Sequence, residues 1–289
     1  MKVCFWMSDK PRERLLADAF LDGVRSLGDE GFARALLPAV EIADCDVAVM
    51  VGVKSRELFR AHWNAGIHIV YLDKGYTRHA AASPVKLWEY WRVAIDAHQP
   101  TASLKIARPH DRVDALGLEV KPWRPLTPKG HILIAGSSAK YHEFYGLHDP
   151  TRWSKKLIRG LRENGVTRHI IYRPKPSWRD AVPISGSRFS ALPETIEEVL
   201  EGAHVLITHG SNACFEAILA GVPVLNLGEA AAGPIAEGYL RNIEDPFVPT
   251  DVQRADWLAR LAYSQFTMRE FATGEAWRVI RPQILGELR

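Results

Sequence analysis

Short unbroken apolar runs alternate along this chain with longer stretches whose apolar residues recur every three or four positions. Residues 2–8 (KVCFWMS) form a run too short for a helix and are read as a strand. From Pro11 to about Leu27 the spacing is helical, with Leu15, Leu16, Ala19 and Phe20 expected inward. DVAVMVG (46–52) predicts a strand, 55–65 a helix stopped by Gly66, and HIVYLD (68–73) a third strand. Such alternation predicts a parallel sheet with right-handed crossovers. Residues 76–128 are less regular; KLWEYWRVAID (86–96) is read as a helix and LGLEV (116–120) as a candidate strand. KPWRPLTPKG (121–130) holds three prolines and fits neither period, so it is expected to be a linker.

The pattern then restarts. HILIAG (131–136) predicts a strand followed by a turn of Gly136, Ser137 and Ser138; a helix is expected over 151–164 and a strand at HIIYRPKP (169–176). Residues 194–201 read as helical. VLIT (205–208), HGSN (209–212), ACFEAILAG (213–221) and PVLNLG (223–228) then read as strand, turn, helix and strand, with Gly221 ending the helix. Residues 255–266 and 268–281 carry Trp257, Leu258, Leu261, Phe266, Phe271 and Trp277 at helical spacing. The expected fold class is α/β with two Rossmann-like domains, 1–125 and 130–260, and closing helices over 261–289.

Strand–turn–helix units of this kind hold anions. Gly210 and Ser211 let backbone N–H groups approach closely, Ser211 or Asn212 can cap the helix, and the helix N-terminus adds partial positive charge. In open α/β sheets, ligands sit at the carboxyl ends of the strands. That rule selects Gly136, Ser137, Ser138 and Lys140, then Arg173 and Lys175, then His209 to Asn212. Arg173 suits a forked contact to a pyrophosphate and Lys175 a point charge.

Composition narrows the class. Hydrophobic residues make up 47% and charged ones 25%, as in soluble globular proteins. No apolar run approaches the ~20 residues of a membrane span, and the first residues turn charged too soon for a signal peptide. Cys4, Cys45 and Cys214 lie in apolar contexts and read as buried thiols of a cytoplasmic protein, without a disulfide frame or metal site. Net charge is +3, yet 152–188 holds ten Lys/Arg against two acids, a local +8. Such an excess points to a phosphate-rich ligand or a polyanionic partner; a solvated helix face opposite Trp153, Leu157, Ile158 and Leu161 is the plainer reading.

Thr-His-Gly-Ser-Asn at a strand end, a helix bearing Glu216, and Ala-Gly-Val-Pro-Val resemble the donor domain of GT-B glycosyltransferases. The likeness is nearest to capsule-type Kdo and sialic-acid transferases and to phage-borne relatives, and covers about 130–245. It implies that His209, Gly210, Ser211 and Asn212 meet the phosphates of a nucleotide sugar, expected to be a UDP-sugar. It also implies that Glu216 meets the ribose and that the last helix crosses back onto the first domain. No metal or other cofactor is expected. The first domain would then carry the acceptor and a base to take its proton. Asp73 is preferred, with Asp9, Asp96 and His79 as alternatives. Tyr76, Arg78, Trp88, Trp91 and Arg92 would form an acceptor surface, with Arg108, Arg112 and Arg124 available to phosphates. The acceptor expected from the basic segment and these aromatics is a hydroxymethyl pyrimidine in DNA, flipped out of the stack. A capsule or lipopolysaccharide sugar, a sugar-nucleotide 2-epimerase and a non-catalytic binding module remain alternatives.

Overall fold

The computed structural model describes residues 1–36, 39–52, 56–77 and 89–287. The chain forms two compact units, Met1–Leu116 with Leu258–Arg289, and Gly117–Trp257. No helix among the described residues is long and apolar enough to cross a membrane.

Unit 1 begins with β1 (Lys2–Met7), α1 (Pro11–Ser26), β2 (Glu30–Ala35), β3 (Val47–Val51), α2 (Arg56–Asn64), β4 (His68–Lys74) and β5 (Tyr90–Ile95). Val3, Phe5, Val47, Val49, Val70 and Leu72 project into one core, which α1 closes with Leu16, Ala17, Phe20, Leu21 and Val24. That stripe corrects the expected one. Leu15 points to solvent, because the buried positions start one residue later. β2 has the sparse apolar content of a half-exposed strand and was not legible in the pattern. The helix expected over 86–96 is instead β5, antiparallel to β4 with Leu72 opposite Val93 and Asp73 opposite Arg92. Period two prevails here: Trp91 and Val93 enter the apolar core while Arg92 and Ala94 take the other face.

Unit 2 comprises β6 (His131–Ala135), α3 (Ala139–Tyr145), α4 (Pro150–Glu163), β7 (Ile170–Arg173), β8 (Arg188–Phe189), α5 (Ile196–Leu200), β9 (Ala203–Thr208), α6 (Ala213–Leu219) and β10 (Val224–Asn226). Its strands are all parallel, in the order β10-β9-β6-β7-β8. β6 therefore enters mid-sheet. The chain builds β7 and β8 to one side of it, then crosses to build β9 and β10 on the other. Ile132, Ile134, Val205, Ile207, Ile170 and Tyr172 meet Leu157, Ile158 and Leu161 of α4 in one core. Pro150 fits the first turn of α4, and Asp149 caps it by accepting the Arg152 N–H at 2.9 Å.

The candidate strand at 116–120 does not form: Leu116 ends a short 3-10 helix and 117–120 are irregular. The expected linker is held down along its first residues. Lys121 N–H donates to Leu219 O at 2.8 Å and Arg124 N–H to Gly221 O at 2.9 Å. The Arg124 side chain also donates to Ala220 O at 3.0 Å. The unit boundary accordingly falls at 116/117, ahead of the prolines.

α7 (Asp251–Ala262) contains the second boundary and is followed by β11 (Gln265–Thr267), α8 (Met268–Ala272) and α9 (Glu275–Ile284). Helical spacing across 255–281 concealed β11, which pairs antiparallel with β5 and completes the unit 1 order β11-β5-β4-β3-β1-β2. Phe266, Phe271, Trp277 and Ile280 fill the core beside α1.

Gly221 has φ +72°, and a Cβ there would lie 2.0 Å from the Pro122 carbonyl oxygen. Gly221→Ala is expected to lower unfolding free energy by about 2 kcal/mol or more, read by urea denaturation. An unchanged midpoint would show that the 121–124 segment does not need this contact.

Candidate functional site

The crossover in unit 2 places the switch between β6 and β9, where Ala135 and Thr208 are the last paired residues. Ser137 follows β6 and is buried, and its Oγ has no hydrogen-bond partner among the described residues. Ser138 caps α3 by accepting the Tyr141 N–H at 3.2 Å. Lys140 is exposed. On the other strand the Thr208 hydroxyl donates to Ala135 O at 3.1 Å. It also accepts the N–H groups of Gly210 at 3.3 Å and Ser211 at 2.9 Å. These two N–H groups were expected to meet an anion, but the preceding threonine takes them first. Ser211 Oγ accepts the Ala213 N–H at 3.3 Å, and Asn212, at the N-cap position, makes no side-chain cap.

His209 is packed from three sides. The Trp153 ring stacks on it with centroids 3.7 Å apart, the Tyr141 ring meets it edge-on at 5.5 Å, and His142 Nε2 lies 2.7 Å from its Nε2. Burial, and then the neighbouring His142, push the His209 imidazolium from its ordinary 6.5 down to about 3. The Tyr141 hydroxyl donates to His209 O and accepts the Glu229 N–H at 3.1 Å. A Cβ on Gly210 would lie 2.3 Å from the Tyr141 ring, so the small residue is required by packing. Sequence reading had not drawn Tyr141 or His142 into the site. Thr208 carried a local signal, a hydroxyl two and three residues before the N–H groups it satisfies.

Arg173, at the end of β7, is buried and donates to Ser190 Oγ at 2.7 Å and Glu194 O at 2.8 Å. The fork expected on a pyrophosphate is therefore engaged within the unit, while Lys175 beyond it is half-exposed. Glu216 lies on α6, half-buried.

In unit 1, Asp73 accepts from Arg92 at 3.3 Å and from the Tyr71 hydroxyl at 3.2 Å. Arg92 is fully buried, also donates to Gln99 Oε1 at 2.8 Å, and sits over the rings of Tyr71 and Tyr76. Trp91 is a core side chain, and Tyr76 is buried with its hydroxyl on Gln99 at 3.0 Å. An acceptor platform of Tyr76, Trp91 and Arg92 is thus corrected: all three are interior, because β5 is a strand with both faces covered. Asp9 is exposed and pairs with Arg14 at 3.0 Å. Asp96 is at the opposite end of β4 from Asp73. There it caps the strand start, taking the Ile69 N–H at 2.7 Å and His68 at 2.8 Å, with φ +54°. Arg78, His79 and Trp88 lie outside the described residues. Arg112 is spent on Glu270 and on the carbonyls of Ala262 and Gln265. Sequence reading missed Glu13, a buried carboxylate that accepts the Ser8 N–H at 3.1 Å and O–H at 2.6 Å beyond β1.

Two cavities flank α4. One, of about 950 Å³, runs between its Trp153–Leu157–Leu161 face and Leu227, Leu240 and Ile243. The other, of about 840 Å³, is lined by Arg152, Lys155, Lys156, Arg159 and Arg162. Arg162 is tied to the carbonyls of Val166, Arg168 and Gly186, which leaves the first four as the exposed cations.

The sequence matches no family model, and no curated protein matches it. Solved structures that share its fold include two from one organism. One is described as Thermosulfurimonas dismutans KpsC, beta Kdo 2,7 transferase, with TM-score 0.57, 14% identity and 96% of this chain against 99% of that one covered. The other is described as the beta Kdo 2,4 transferase of the same organism's KpsC, with TM-score 0.50, 13% identity and 90% of each chain covered. The fold is that of GT-B glycosyltransferases, two Rossmann-like units.

Two outcomes follow from the buried groups. Burial lowers the pKa of His62, His131, His142, His204 and His209, whereas an unfolded chain protonates its histidines near ~6.5. Below that pH the unfolded state binds more protons, so stability is full above it and falls on acidification, the His209 share down to about 3. Urea midpoints should be lower at pH 5 than at pH 7.5; equal midpoints would show these imidazoles are not held neutral. Arg92→Met should cost roughly 2–4 kcal/mol of stability by stranding Asp73 and Gln99. A change of under ~0.5 kcal/mol would place Arg92 outside the load of the fold.

Proposed function

We propose that this protein is a glycosyltransferase that takes its sugar from a nucleotide-sugar donor, expected to be a UDP-sugar, held at the β6/β9 end of unit 2. The observation that carries the reading is the switch point itself. The loops after two adjacent parallel strands, 136–140 and 209–212, come together there on a GT-B fold. Lys140 and Lys175 are proposed for the donor phosphates and Glu216 for the ribose, and the reading calls on no divalent metal or other cofactor. Asp73 stays our candidate base. Its carboxylate is about one-third exposed and is oriented by Arg92 and Tyr71.

For the acceptor we favour a glycan, the class to which the two similar structures' Kdo transferase descriptions point. Hydroxymethylated DNA is the second reading. It retains the exposed cations Arg152, Lys155, Lys156 and Arg159 but loses the aromatic platform, whose described members are interior. An epimerase or a donor-binding module without transfer would bind the nucleotide sugar and transfer nothing.

A donor-hydrolysis screen over UDP-, GDP-, CMP- and dTDP-sugars, with and without glycan and hydroxymethylated DNA acceptors, tests the reading. Turnover with one donor class is expected; binding with no turnover under any condition would leave the module reading. Glu216→Ala should weaken donor binding by ~1–3 kcal/mol in calorimetry, and unaltered affinity with the fold intact would remove it from the ribose. Reversing the charges of Arg152, Lys155 and Arg159 should leave glycan transfer unchanged. A flattened salt dependence of DNA binding in that variant would instead favour the DNA acceptor.

A further inference from the structure

Two imidazoles facing each other through the same ring nitrogen cannot both be acceptors, and the protein settles which one donates. His142 Nδ1 faces the carbonyl oxygen of His148, which can only accept, so that nitrogen carries a hydrogen. A neutral His142 is then bare at Nε2. The 2.7 Å contact requires His209 Nε2 to donate to it, which leaves His209 bare at Nδ1. That Nδ1 atom is buried and has no hydrogen-bond partner among the described residues. One strand away, Ser137 Oγ is also buried and without a partner. The two residues stand one and two positions beyond the last paired residues, Thr208 and Ala135. Buried polar atoms left unmatched are costly, and two at neighbouring strand ends mark a place where a ligand group completes the bonding.

We propose that His142 is a positioning residue that holds His209 as a neutral imidazole with its acceptor nitrogen Nδ1 presented, so that this point of the β6/β9 end receives a hydroxyl group of the ligand and not a phosphate oxygen. The inference rests on the reading that a nucleotide sugar binds here, and it specifies which part of it His209 meets. A bare ring nitrogen and a phosphate oxygen are both acceptors and repel. A hydroxyl of the donor's sugar can donate to Nδ1 and accept from the Ser137 O–H. Protonating His209 would convert it into a phosphate contact, but its surroundings oppose that. The ring is stacked on Trp153 and edged by Tyr141, and the titratable groups at the pair are Tyr141 and His142, with Asp149 acting on His142 and Glu229 on Tyr141. None of these gives His209 a carboxylate partner.

Nitrogen NMR of the full chain labelled with ¹⁵N-histidine tests this without any need for turnover. At pH 7 we expect His142 protonated at Nδ1 and His209 at Nε2, both neutral, and unchanged on titration with pyrophosphate. A His209 imidazolium, an Nδ1–H tautomer, or protonation of His209 driven by pyrophosphate would overturn the proposal. His142→Gln retains an acceptor and should keep the His209 tautomer, whereas His142→Phe should release it to a mixture. Identical His209 signals in both folded variants would remove His142 from the role. With whichever donor the screen turns over, His142→Phe should raise KM for the nucleotide sugar several-fold and leave the Kd of the matching sugar-free nucleotide unchanged. Equal weakening of both would return His209 to the phosphates. Absence of turnover with the expected tautomers would count against the transferase reading and leave the tautomer assignment standing.

Discussion

One hydroxyl group holds the carboxyl-end loops of the unit 2 strands in place. Tyr141 reaches from α3 to donate to the carbonyl of His209 and accepts the N–H of Glu229, so the segments that follow β6, β9 and β10 share a single fixed point. Each bond adds on the order of 1 kcal/mol, but leaving the two backbone groups buried and unmatched would cost about 1–3 kcal/mol apiece. Because the Tyr141 ring passes so close to Gly210, the turn after β9 has no room for a side chain there. The orientation of His209, and with it the stacking of Trp153, depends on this arrangement.

Several cations that look available in this protein are consumed within it. Of the basic residues between 152 and 188, Arg162, Arg168, Arg173 and Arg188 bind carbonyls, hydroxyls or carboxylates of their own unit. Guanidinium groups serve here as multi-point struts between loops, a task for which a planar fork of donors is suited. Exposed positive charge remains on one face of α4, whose opposite face is the apolar wall of the core, and at Arg179 beyond it. Arg92 repeats the theme in unit 1, where a buried cation organises Asp73, Gln99 and two tyrosine rings.

The strands buried on both sides were legible because an unbroken run such as HILIA or VLIT has no other stable use in a domain of this size. Edge and mixed strands were not. β2 is too polar to stand out, β11 is three residues long, and the β5 sequence satisfies a helical count nearly as well as an alternating one until β4 is placed beside it. In the site, the glycine and hydroxyl residues at the strand ends were visible from local chemistry alone. What they do was not. Thr208 occupies the N–H groups of its own turn, and Tyr141 and His142 act on residues about 70 positions away, a relation that exists only once β6 and β9 are neighbours.

The discontinuity of unit 1 bears on how the chain acquires its structure during synthesis. Unit 2 is one continuous stretch from Gly117 to Trp257, so everything it needs has been made before residue 258 is added. Unit 1 is begun first yet lacks β11, Phe266, Phe271 and Trp277 until the last thirty or so residues emerge, about two seconds to several seconds later at ordinary elongation rates. Through that interval β5 has an unpaired edge and α1 an uncovered apolar flank, the kind of surface that chaperones bind. The ribosome therefore completes the sequence of unit 2 ahead of that of unit 1.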